Sequence, residues 1–147
     1  MKTDQAVVDG LQNLLADTYL LYIKTQGFHW NVTGPNFGPL HQMFQTQYEE
    51  LRDANDLIAE RIRAVGGFAA GSCAEFTQNS NRVSEVDQIR GGERMIRGLH
   101  EDHAAIANEC RIFVGKLGLR DTITEQLVAD RALAHEKMAW ILKSHLE

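Results

Sequence analysis

The sequence predicts an all-α fold: a four-helix bundle whose second connection is a long crossover carrying a short helix. Three observations point there. Apolar residues recur at three- and four-residue steps through four long segments, the period of a helix with one buried face. Only two prolines occur in 147 residues, Pro35 and Pro39, and both fall in one short stretch, so the long segments run uninterrupted. The connections between segments read short, long, short.

The first segment, about Asp4 to Trp30, carries its stripe on Val7, Val8, Leu11, Leu14, Leu15, Thr18, Tyr19, Tyr22 and Ile23. The run Asn31–Pro39, with two Gly and two Pro, breaks it. The second segment spans about Leu40 to Val65, with Met43, Phe44, Tyr48, Leu51, Leu57, Ile58, Ile62 and Val65 apolar, and Gly66-Gly67 is a C-terminal stop. Residues 66–84 are rich in Gly, Ser and Asn and hold a short possible helix near Cys73 to Thr77. The third segment starts near Ser84, where Ser84 and Asp87 resemble a capping box. It continues through Ile89, Ile96, Leu99, Ile106, Cys110, Phe113, Val114 and Leu117 to Gly118. The fourth runs from about Thr122 to Leu146 on Leu127, Val128, Leu133, Met138, Ile141 and Leu142. A plain up-down bundle is the alternative. The length of the second connector, enough to cross from one end of a bundle to the other, favours the ferritin-like arrangement with one crossover.

Composition narrows the function. The chain has the size of one domain, expected to be 1–147, with 44% hydrophobic and 24% charged residues, which is globular rather than disordered. Fifteen basic against twenty acidic residues give a formal charge of −5, which argues against a whole-surface nucleic-acid binder. No apolar run approaches a membrane span, and the opening residues Met1 to Gln5 lack the pattern of a signal peptide. Two cysteines, Cys73 and Cys110, make neither a CxxC nor a disulfide framework, so a cytoplasmic, reducing setting is expected. Cys110 falls on an apolar stripe and reads as core, whereas Cys73 lies in the connector. There is no P-loop, dinucleotide-binding glycine turn or nucleophile elbow.

Six histidines occur, and His29 and His41 flank the first turn, one on each side, so antiparallel helices joined there bring them together. The second segment is acidic beyond them. Glu49, Asp53, Asp56 and Glu60 step by 4, 3 and 4 and form one stripe. Residues 49–60 hold five acids and one Arg, or −4 of the formal −5. Imidazoles with carboxylates suit iron, zinc or manganese. The intrachain di-iron bundle site needs Glu-x-x-His on each of two helices, and no Glu-x-x-His exists in this sequence. His41 and Asp56 are fifteen residues apart on one helix. That is roughly 22 Å at a rise of about 1.5 Å per residue, far beyond one ion's coordination shell. Two copies packed antiparallel about a two-fold axis bring the His end of each helix to the Asp56/Glu60 turn of the other, giving two identical intersubunit sites.

Plainer readings stand beside these. A turn-flanking His is often a cap, and an acidic stripe is often a solvated face. His100 and His103 read as an exposed polar face, His135 and His145 as ordinary polar positions, and Trp30 and Trp140 as packing residues. Trp30 adjoins His29, so its oxidisable indole would lie beside any metal there.

The stretch Gly27-Phe28-His29-Trp30-Asn31-Val32-Thr33-Gly34-Pro35-Asn36-Phe37-Gly38-Pro39-Leu40-His41 closely resembles the Dps family, the ferritin-like DNA-protection proteins of starved bacteria. Asp56 to Gly67 is similar to that family's second-helix motif, and His135 to Leu142 to its closing helix, so the resemblance spans nearly the whole chain. It implies a ferroxidase centre with His29 and His41 from one subunit and Asp56 and Glu60 from its two-fold mate. It also implies a hollow dodecamer that oxidises Fe(II), preferably with hydrogen peroxide, and stores ferric mineral, with Glu49 and Asp53 as candidate nucleation acids. Asp130 matches a usually acidic position that implies a pore. The chain departs from the pattern in three places. Gln45, four residues after His41, replaces a commonly acidic residue, which weakens the case for a second iron. No Lys-rich tail accompanies Lys2 or the C-terminal Ile141–Glu147, so DNA contact is expected to be weak and salt-sensitive. The connector around Phe68 to Asn81 is atypical. The alternative function is a DNA-compacting nucleoid protein with a weak or vestigial metal site.

Overall fold

A computed structural model of the chain describes residues 2–80, 83 and 91–147. Among the described residues the regular structure is all helical: α1 (Gln5–Asn31), α2 (Phe37–Ala64), α3 (Cys73–Asn79), α4 (Gly92–Leu117) and α5 (Thr122–Ser144). Helix α1 packs along α2 and α4 along α5, as short turns demand. Helices α1 and α4, and α2 and α5, close the bundle, and α3 lies against α1. The bundle with a helix-bearing crossover is the predicted fold. The expected start of the third segment at Ser84, and its Ser84/Asp87 capping pair, lie outside the described residues. No helix among the described residues is long and apolar enough to cross a membrane.

Local chemistry sets the helix ends. Asp4 caps α1 by accepting from the Ala6 amide, Ser72 caps α3 through the Glu75 amide, and Asp121 caps α5 through the Thr124 amide. Helix α2 ends as the glycine pair predicts. Gly66 takes φ +96°, its amide donates to the Arg63 carbonyl, and the Gly67 amide reaches back to Ile62. The start of α2 differs from the sequence reading, which left residues 37–39 in the turn. Phe37, Gly38 and Pro39 form its first turn after a turn closed by the Phe37 amide on the Gly34 carbonyl. Proline is tolerated there because the amides of a first turn have no intrahelical acceptor. Gly34 holds φ +110°, a left-handed conformation that favours glycine and folds α2 back along α1.

The core is apolar, with Leu11, Leu21, Phe44, Leu51, Ile58, Ile62, Leu99, Ile106 and Leu142 fully enclosed. A polar network runs through it. Lys24 of α1 pairs with Asp102 of α4 at 2.6 Å, both buried. Arg131 of α5 grips Glu50 of α2 with both terminal nitrogens. His103 and His135 sit at 0% exposure with their Nδ1 atoms 2.8 Å apart. This corrects the sequence reading of His103 as part of an exposed polar face and of His135 as an ordinary polar position. His103 lies in register with Leu99, Ile106 and Cys110, and His135 with Val128 and Leu142, so their helix faces carry them inward. Arg131 can only donate, so His135 Nε2 accepts from it at 3.3 Å. The His135 proton therefore sits on Nδ1 and is donated to His103 Nδ1. His103 keeps its own proton on Nε2, buried and without a partner among the described residues.

Burial, the Arg131 charge and His100 push the His103 pKa down to about 3. Burial, His103 and Arg131 hold His135 well below the ordinary imidazole range. Unfolded imidazoles take up protons near pH 6.5, so below that value the unfolded chain binds more protons than the folded one. Stability should therefore be unaffected by this pair above neutrality and fall as the pH drops, by about 1 kcal/mol per pH unit for each ring. Denaturant unfolding at about pH 7 and about pH 5 checks this, and a His103→Leu/His135→Leu double variant should show the shallower loss.

Candidate metal centre

The first turn brings His29, near the end of α1, and His41, in the second turn of α2, face to face. Their rings stack with centroids 3.7 Å apart and planes 13° apart. Each Nδ1 lies 2.7 Å from the other residue's backbone carbonyl oxygen: His29 Nδ1 to His41 O, and His41 Nδ1 to His29 O. A carbonyl oxygen can only accept, so both Nδ1 atoms carry the proton and both neutral rings keep their lone pair on Nε2. That is the arrangement by which proteins orient imidazoles for metals, one nitrogen held by the protein and the other available as a ligand.

Aromatic rings fix the pair from both sides. Phe37 stacks on His41 at 4.9 Å, and Tyr48 meets His29 edge-on at 5.3 Å. Beneath them Phe28 and Phe44 pack at 6.3 Å in the core. His29 is 8% exposed and His41 half-buried, so the pair sits at the surface of the bundle and not at its centre. Trp30, beside His29, is 65% exposed, and Trp140 is equally so, which corrects their reading as packing residues within the chain.

Asp56 and Glu60 are exposed on α2, one turn apart, with Leu57 between them 58% exposed. At the rise of an α-helix Asp56 lies roughly 22 Å from His41 along α2. The structure thus brings the two histidines together and leaves the two carboxylates elsewhere on the same chain. Among the described residues, no three His, Cys, Asp or Glu side chains of one chain converge as a metal site. The other acids are also placed. Gln45 donates to Glu49 at 3.1 Å, Asp53 pairs with Arg52 at 3.3 Å, and Asp130 is exposed on α5. Cys110 is buried and Cys73 exposed, and burial pushes the Cys110 thiol up to about 12, so it stays protonated in the core.

The four candidates, two imidazole nitrogens and two hard carboxylate oxygens, would make a donor set of the kind found with iron, zinc and manganese. The sequence singled out all four residues as candidates. It did not reveal the reciprocal carbonyl bonds, whose partners are backbone atoms, or the Phe37 and Tyr48 rings that clamp the pair.

Comparison with known proteins agrees with this fold. The ferritin-like domain family matches residues 8–147. A DNA protection during starvation protein of Brevibacillus brevis is 30% identical over 156 residues, covering 100% of both chains. Dps from Staphylococcus aureus superposes with a TM-score of 0.94 at 32% identity, covering 100% of this chain and 99% of its own. The Dps protein of Vibrio cholerae O1, described as a member of a broad superfamily of ferritin-like diiron-carboxylate proteins, gives 0.92 at 28% identity over 97% of this chain and 90% of its own. Fold, helix order and full-length likeness together place the chain in the ferritin-like domain family, as a member of its Dps branch.

Proposed function

We propose that the chain is a cytoplasmic iron-storage ferroxidase. It would assemble as a hollow dodecamer, bind Fe(II) as substrate at two-fold subunit interfaces, oxidise it with hydrogen peroxide in preference to oxygen, and retain the ferric product inside the shell. The observation that carries this reading is the His29/His41 pair, oriented as a ligand set yet too far along α2 from Asp56 and Glu60 to share an ion within one chain. Each half of the donor set is exposed or close to the surface and flanked by exposed apolar groups, with Trp30 and Phe37 beside the histidines and Leu57 beside the acids. Uncovered apolar side chains of this size around polar ligands favour burial against a second copy.

In this reading His29 and His41 present Nε2 to Fe(II), while Asp56 and Glu60 of the two-fold mate add anionic oxygens that favour the higher-charged ferric product. Coordination positions not taken by protein admit peroxide. Asp130 is a candidate for a pore that passes Fe(II), and Glu49 and Asp53 are candidates for nucleating mineral. DNA protection, the role named for the Brevibacillus relative, follows from consuming Fe(II) and peroxide together. Direct DNA binding would be secondary for a chain of net charge −5.

Gln45 favours one ion at each site. It stands one turn after His41, brings a neutral amide where a carboxylate would serve, and its Nε2 ties up Glu49. A Gln45→Glu variant removes that donor and adds an anion, and should raise the Co(II) bound per interface from about one toward two in anaerobic titration. The function itself is tested with a His29→Ala/His41→Ala variant. Peroxide-driven Fe(II) oxidation should fall by more than about 100-fold, the upper end for losing mere ligand-orienting partners. Equal rates in the two proteins would overturn the ferroxidase reading.

A further inference from the structure

A cavity of about 370 Å³ opens between the first half of α1 and the last third of α4, at the other end of α1 from His29. That is the size of a small-molecule pocket. The two helices run antiparallel, tied by Asp4 to Arg120 at one end and by Lys24 to Asp102 further along, and the cavity lies between these ties. Its floor is apolar: Val7 and Leu14 from α1, Cys110 and Leu117 from α4, all buried. Phe113 makes one wall. A Cβ at residue 10 would stand 2.4 Å from the Phe113 ring, so Gly10 is what lets that ring lie down on α1. Two opposite charges stand on the rim. The register of the helices sets Asp9 of α1 across from Lys116 of α4, and both are exposed. No ion pair joins them. Asp9 accepts from the Gln5 amide at 2.8 Å, and Lys116 makes no hydrogen bond or ion pair among the described residues. Arg120, the other base at this end, is held by Asp4. At the far end lie two acids, Asp17, which accepts from the Ser80 hydroxyl, and Glu109.

We propose that this cavity binds a free α-amino acid with an apolar side chain of the size of leucine or phenylalanine. The α-carboxylate meets Lys116, the α-ammonium meets Asp9, and the side chain lies on Leu14, Cys110 and the Phe113 ring. Covering that floor removes apolar surface from water on both partners. The paired rim charges select a zwitterion over an ion of either sign. A lone carboxylate at Lys116 would stand near Asp9, and a lone ammonium at Asp9 would stand near Lys116, each a like-charge contact. The acids at the far end limit the length of the apolar group, because a longer chain would strip water from Asp17 and Glu109. None of these residues belongs to the proposed iron site, so the inference stands apart from the ferroxidase reading.

The test is calorimetric titration of the assembled, metal-free protein at low salt. L-Leucine and L-phenylalanine should each bind saturably, one per chain, and L-alanine, which lacks the apolar body, should not. Isocaproate keeps the carboxylate and the apolar chain of leucine without its ammonium, and isoamylamine keeps the ammonium without the carboxylate. Each should bind at least about fivefold more weakly than leucine. Asp9→Asn and Lys116→Gln, both at exposed positions that the fold tolerates, should weaken leucine by about the same factor. Asp9→Asn should leave isocaproate no weaker, and Lys116→Gln should leave isoamylamine no weaker. Gly10→Ala moves the Phe113 ring and should weaken phenylalanine while the helical circular dichroism is unchanged. The assignment is overturned if neither leucine nor phenylalanine binds the wild type, or if alanine binds as tightly as they do. It is overturned equally if isocaproate or isoamylamine matches leucine, or if the Asp9 and Lys116 variants keep wild-type affinity.

Discussion

His29 and His41 hold each other in place through their own backbones, and the rest of the site depends on that exchange. Each imidazole donates from Nδ1 to the carbonyl of the other residue at 2.7 Å. The carbonyls belong to residues on either side of a tight turn, so ring orientation is tied to the path of the chain. If the turn were to open, both rings would lose their tautomer and their direction together. The turn is in turn held by Gly34 at positive φ, by the Phe37–Gly34 hydrogen bond and by Phe28 and Phe44 packed below. A histidine pair near the surface is thereby given the rigidity of the core.

On the proposed reading, the same geometry makes a second chain necessary. A helix is a rigid spacer, and α2 carries its histidine near one end and Asp56 and Glu60 roughly 8 and 14 Å past the middle. The ferritin-like bundle usually places metal ligands at its centre, on facing helices. Here the centre is closed. Arg131 fills it with a fixed cation matched to Glu50, and His103 and His135 are bonded to each other. With the interior committed to that network, the proposed ligands lie on the exterior of α1 and α2.

Much of this was legible in the sequence because it is written in side-chain periodicity. Four segments, the crossover and the Gly66-Gly67 stop followed from spacing, and the set of four ligand candidates from spacing together with the family resemblance. What escaped notice was written elsewhere. Phe37 to Pro39 read as turn because proline breaks helices, yet a first turn tolerates it. His103 read as solvent-facing and His135 as an ordinary polar position because histidine is polar, although their helix positions align with Leu99, Ile106, Val128 and Leu142. Position on the stripe was the better guide than residue type. The locking carbonyls had no sequence signal, since every residue carries one.

The central claim is that each site is built from two subunits, and mixed oligomers test it most directly. A His29→Ala/His41→Ala variant and an Asp56→Ala/Glu60→Ala variant would each be inactive alone in peroxide-driven Fe(II) oxidation. Unfolded together in equal amounts and reassembled, half of the two-fold pairs contain one of each, and every such pair regains one intact site. The mixture should therefore recover about a quarter of wild-type activity. If both variants reassemble into oligomers of wild-type size and the mixture stays as inactive as its parents, the ligands are not shared across the interface and the account is wrong.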